Sequence, residues 1–133
     1  MHKPMDLEGK KVVVNKSAKQ VYEFFIDLKN FKQLMPDNIQ KFQFEGDSFL
    51  FALEGMPEIR LVLSETIEFS KISLAAASSK LSFTLTLAIS TITENSSAIQ
   101  LHFNGDFNPM LTMMLKKPLK KFIEILTENL VKV

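Results

Sequence analysis

The chain has 133 residues, 46% hydrophobic, with sixteen basic against fifteen acidic side chains and a net charge of +1. That length suits one domain with a single sizeable core, and the hydrophobic content excludes a disordered chain. The charge balance argues against a general electrostatic nucleic-acid binder, and the absence of cysteine excludes disulfides, thiolate chemistry and zinc–thiolate centres. Leu7 to Asn15 carries the β-branched run Val12-Val13-Val14, which predicts a strand. Ser17-x-x-Gln20 is a capping box. Val21, Phe24, Phe25 and Leu28 follow at helical spacing. Asn30 is placed to cap a second short helix, Phe31 to Met35, which Pro36 ends.

From Ile39 the period becomes two. Phe42 and Phe44 share a face, as do Phe49, Phe51 and Leu53 beyond a Gly46-Asp47 turn. Gly55-Met56-Pro57 is the next break, and Ile59, Leu61 and Leu63 then alternate with Arg60, Val62 and Ser64. The parity slips between Ile67 and Lys71, which predicts a turn, and Ile72 and Leu74 follow it. Ser78-Ser79-Lys80 reads as another turn. Leu81, Phe83, Leu85, Leu87 and Ile89 give the clearest strand. A turn at Glu94 to Ser97 leads to Ile99, Leu101 and Phe103. Such alternation predicts an antiparallel sheet with one face in the core and one in water.

Asn108 to Val133 reads as one long helix, with Asn108 at the N-cap and Pro109 at the first helical position. Leu111, Met114, Leu115, Pro118, Leu119, Phe122, Ile123, Ile125, Leu126 and Leu130 fall on one apolar arc. It covers about half the circumference. Lys116, Lys117, Lys120, Lys121, Glu124 and Glu128 fall opposite. An arc that wide calls for a concave partner. The expected architecture is α+β: seven antiparallel strands curled around the final helix, with two short helices after the first strand closing one end. The whole of 1–133 forms one domain without linker or internal repeat.

This pattern resembles the helix-grip fold of the START-like superfamily, also described as SRPBCC or birch-pollen-allergen-like. Within it the chain is similar to small bacterial proteins of the polyketide cyclase/dehydrase and lipid-transport type. Ser17 to Phe25, Asn30-Phe31 with Leu34-Met35-Pro36, Gly55-Met56, Gly105 to Pro109 and Lys117-Pro118-Leu119 carry the resemblance over nearly the whole chain. It implies a cavity between the concave sheet face and the long helix, open near the two short helices. The superfamily hosts carriers, receptors, cyclases, hydrolases and co-chaperones, so the resemblance speaks to fold more than to function.

The inward parity places Phe44, Phe51, Leu61, Leu63, Phe83, Leu85 and Phe103 opposite Met110, Leu111, Met114 and Phe122, with Met35 at the open end. These residues either fill the core or line a pocket for an apolar ligand, to which Met side chains adapt. Pro118 frees the Met114 carbonyl and bends the helix toward the sheet or opens space beneath it. Glu65 continues the parity of Leu61 and Leu63, so it is either an inward acid–base candidate or an exposed strand-end carboxylate. Tyr22 points to the cavity mouth or to solvent. His102 falls on the outer face, and two histidines so separated give no metal site. The four lysines with Met113 form either a solvated strip or a contact for an anionic membrane or partner.

No nucleotide-binding glycine loop or nucleophile elbow occurs. With neither a leader-like N-terminus nor a run near ~18 apolar residues, the expectation is a cytoplasmic protein without membrane insertion. Its expected function is binding a small hydrophobic or amphipathic molecule without a cofactor. A cyclase/dehydrase-type enzyme and a closed-core interaction module are the alternatives.

Overall fold

A computed structural model describes residues 5–54, 56–77 and 82–133. The expected turn at Ser78-Ser79-Lys80 and the start of its strand at Leu81 lie outside them. The elements run β1 (Met5–Glu8), β2 (Val12–Val14), α1 (Ala18–Ile26), a 3-10 helix (Leu28–Leu34), β3 (Lys41–Glu45), β4 (Ser48–Ala52), β5 (Ile59–Ile67), β6 (Lys71–Ala76), β7 (Phe83–Thr93), β8 (Ser96–Gly105) and α2 (Pro109–Leu130). One antiparallel sheet has the order β1-β8-β7-β6-β5-β4-β3, and β2 also pairs with β8. The expected first strand is therefore present in two pieces, which makes eight strands of seven.

The break falls at Gly9, whose N–H still bonds the Leu101 carbonyl at 2.8 Å while its own carbonyl accepts from Gln100 Nε2 at 3.0 Å. Directly opposed residues of antiparallel strands share a face. The ladder Leu7–Phe103–Leu85–Leu74–Leu63 therefore crosses the sheet on its inner side, with Phe44–Phe49–Leu61 beside it. Rings connect this face to the helices. Phe25 packs on Phe31, Phe31 stacks on Phe49, Phe49 meets Phe51, and Phe51 stacks on Phe122 of α2 at 5.5 Å.

The capping box forms as expected. Gln20 N–H donates to Ser17 Oγ at 3.1 Å, and Ser17 N–H donates to Gln20 Oε1 at 2.9 Å. The second short helix differs from expectation: it is 3-10 and begins at Leu28. Asn30 lies inside it and caps nothing. Its Nδ2 instead donates to the Phe24 carbonyl at 2.7 Å, satisfying an acceptor left over at the end of α1. Asn108 caps α2 by accepting from Leu111 N–H at 2.9 Å. At the far end Asn129 Nδ2 donates to the Leu34 carbonyl at 2.8 Å and tethers α2 to the 3-10 helix.

Candidate ligand mouth on one flank of the long helix

On α2 the buried residues are Leu115, Leu119, Phe122, Ile123, Leu126, Thr127 and Leu130. At 100° per residue they span roughly 140° of the circumference. The apolar arc in the sequence is wider than this. Its surplus forms a flank of Met110, Met114, Pro118 and Ile125, which faces away from the core. Met110 is 70% exposed and Met114 64%, whereas Leu111 and Ile125 are half-buried. The expectation that Met110 and Met114 face the sheet is thus corrected. They lie roughly 120° or more around the helix from the line of Leu115, Leu119 and Leu126, which fills the groove of the sheet.

The lower part of that flank opens on a cavity of about 230 Å³. Pro36 and Asn38 after the 3-10 helix form one wall, and Leu53, Glu54 and Met56 after β4 a second. Pro118, Lys121, Phe122 and Ile125 of α2 form the third. Its walls are mostly apolar, with Asn38, Glu54 and Lys121 as polar groups, the composition typical of small-molecule sites. Phe122 joins this mouth to the ring stack beneath it.

Of the pocket residues expected from the sequence, Phe51, Leu61, Phe83, Leu85 and Phe103 are buried side chains of the inner face, and Met35, which ends the 3-10 helix, is buried in the same core. Phe83 stacks on Phe103 at 4.8 Å. Leu63 is half-buried against them. Phe44 has the expected parity but lies on the edge strand β3, where no further strand covers it, and is 41% exposed.

Glu65 does not continue the inward row. The β5–β6 register shifts between Leu63 and Glu65, so Glu65 opposes Ser73 on the outer face and pairs with Lys71 Nζ at 3.1 Å. A bulge adds one residue and reverses every later side chain, a local event that alternation alone does not show. Tyr22 packs edge-on against Phe69, ring centroids 5.7 Å apart, and lines neither of the cavities beside α2. His102 binds Asp6 across β1 and β8.

Asn38 and Glu54 were not singled out in the sequence, and Lys121 and Ile125 entered only as members of the lysine strip and the apolar arc. The signal was partly present. Lys121 shares the angular position of Met110 and Met114, well away from Lys116 and Lys120. Glu54 and Asn38 sit in loops, where periodicity says nothing.

No protein-family model matches the chain, and no curated protein matches it in sequence. Solved structures do match it in shape. Norcoclaurine synthase from Thalictrum flavum, in complex with dopamine and hydroxybenzaldehyde, superposes with a TM-score of 0.70 at 11% identity. The match covers 98% of this chain and 88% of that one. A START superfamily protein from Mycobacterium smegmatis gives 0.65 at 14% identity, covering 96% and 97%. A protein from Thermus thermophilus gives 0.69 at 13%, covering 96% and 95%. The fold is the START-like helix grip.

In this helix grip, α2 has a groove on each side. The second, of about 450 Å³, runs between α2 and the edge strand β1. Leu7, Gly9, Ile123 and the buried Thr127 form its base, with Lys10, Lys120, Glu8, Glu124 and Glu128 around it. Among the described residues there is no cluster of three or more His, Asp or Glu able to hold a metal ion. No described helix is long and apolar enough to cross a membrane.

Proposed function

We propose that the protein binds a small apolar or amphipathic molecule at the mouth beside α2. The observation that carries this reading is the surplus apolar arc of the helix. Met110, Met114, Pro118 and Ile125 are not needed by the core, yet they line up on the side where the 230 Å³ cavity opens. Binding there desolvates the ligand against Leu53, Met56, Phe122 and Ile125, and the methionines adjust to its outline. Asn38, Glu54 and Lys121 orient a polar end. The resemblance in shape to a synthase complexed with dopamine and hydroxybenzaldehyde supports a small aromatic ligand.

A cyclase-type reaction is the second reading. It is favoured by the carboxylate of Glu54 and the amine of Lys121 lining one small cavity. Under that reading Glu54→Gln or Lys121→Met abolishes turnover and spares binding.

The test is native mass spectrometry of gently purified protein, followed by thermal-shift screening against lipids, sterols and small aromatics. A retained or stabilising apolar compound, lost in Ile125→Arg, supports the reading. An apo mass with no stabilisation by any class, and no difference from Ile125→Arg, overturns it.

A further inference from the structure

We propose that the first half of α2 is a docking face for an anionic lipid surface. The inference goes beyond ligand binding at the mouth and does not depend on it. It starts from Met113, which at 83% is the most exposed large hydrophobic residue described and belongs neither to the core nor to the mouth. Together with Met110 and Met114 it gives three exposed methionines in little more than one helical turn. Scattered single apolar residues on a surface need no explanation, but a contiguous cluster does.

Along this stretch of the helix the charge has one sign. From Pro109 to Lys121 the helix carries four lysines and no acidic residue; Glu124 and Glu128 begin only beyond it. Elsewhere Lys29, Lys41 and Lys71 have carboxylate partners. Among the described residues, none of Lys116, Lys117, Lys120 and Lys121 forms an ion pair. The positive end of the helix dipole adds to them at Asn108 and Pro109. With a net charge of only +1 for the whole chain, this is a local concentration and not a general basicity.

An apolar strip bordered by lysines is the arrangement by which a helix lies in a lipid interface. The apolar tips enter the headgroup region, and the lysine stems keep their ammonium groups among the phosphates. A bilayer asks for no shape-matched groove, and Met113 lines neither groove beside α2. An acidic protein partner needs such complementarity, so lipid is the occupant that charge and shape favour. In the docked orientation the flank of Met110, Met114 and Pro118, and so the mouth, borders the lipid.

Cosedimentation with phosphatidylcholine vesicles, with and without phosphatidylglycerol, tests this. Binding is expected only with phosphatidylglycerol, falling as salt rises. It should weaken roughly fivefold for each lysine among Lys116, Lys117, Lys120 and Lys121 changed to Gln. The chain has no cysteine, so Met113→Cys introduces a unique thiol for an environment-sensitive dye. A blue shift on anionic vesicles, absent from a dye at Ile92→Cys, supports the orientation; Ile92 is exposed and lies on β7.

Equal binding to both vesicle types, no binding to either, or a shift at both dye positions overturns the proposal. So does a Met113 dye that shifts with protein concentration alone, since a second copy then covers the face. Ile125→Asn, which adds no charge beside the lipid, should leave vesicle binding intact while removing the small-molecule response. Loss of one activity is thus distinguishable from loss of the other.

Discussion

Gly9 and Thr127 approach so closely that a methyl group on the Gly9 Cα would stand 2.6 Å from Thr127 Oγ1 and 3.3 Å from Ile123 Cγ2. Glycine is required here for space, since the helix lies directly against the strand break. Gly9→Ala should destabilise the protein by about 1–3 kcal/mol, the usual range for overpacking. Urea unfolding measures it. Gly9→Ala combined with Thr127→Ala should recover part of the loss. If the double variant is no better than the sum of the singles, the contact is not the cause.

Thr127 Oγ1 is buried and has no hydrogen-bond partner among the described residues. Val has nearly the same shape without the hydroxyl. Thr127→Val should therefore raise stability by about 1 kcal/mol, because an unsatisfied polar group is removed at no cost in packing. The same unfolding curve reads the sign directly.

Phe69 is the one described residue other than glycine with positive φ, at 64°. It occupies the turn after Ile67, whose carbonyl accepts from Ser70 N–H at 3.0 Å, a position that favours Gly or Asn. The strained backbone brings its ring against Tyr22. Phe69→Asn relieves about 1 kcal/mol of strain and loses an aromatic contact of similar size, so little net change is expected. In a Tyr22→Ala background the contact is already gone, and Phe69→Asn should be net stabilising. A double-mutant cycle decides it.

Asn129 joins the end of α2 to the 3-10 helix through the Leu34 carbonyl. Asn129→Ala leaves that carbonyl without its side-chain donor and should cost about 1–2 kcal/mol. Thermal melts give the direction. Asn108→Ala, at the other end, should cost about 1 kcal/mol through loss of the cap on Leu111 N–H.

The architecture was largely legible because its signals are local. Ser17 with Gln20, Asn108 with Pro109, and the alternation around Leu85 and Leu101 each set a boundary or a face within a few residues. What escaped depends on contacts distant in sequence. The bulge at Ser64 turned Glu65 outward. The first strand splits where α2 passes close over Gly9. Asn30 exchanged a capping role for the Phe24 carbonyl. For the site, the apolar width of α2 was visible, but how much of it the sheet would cover was not. Met110 and Met114 were accordingly placed one flank too far inward. Loop residues such as Glu54 and Asn38 carry no periodic signature, so only the folded chain brings them to the mouth.

The uneven anchoring of α2 has a further consequence. Six of its seven buried residues lie from Leu119 onward, and Asn129 fastens that half to the 3-10 helix. The first half rests on Leu115, on the half-buried Leu111 and on its cap. Pro118 stands between them and withholds an amide from the Met114 carbonyl. The helix is thus one element by shape and two by local stability. Amide exchange should be slow after Phe122 and much faster before Pro118, at free energies well below that of global unfolding. A partial fraying of the first half would widen the space beside Phe122 while the sheet and the C-terminal turns stay folded. Entry to the mouth then needs no separate lid, only the reversible loosening of two or three helical turns.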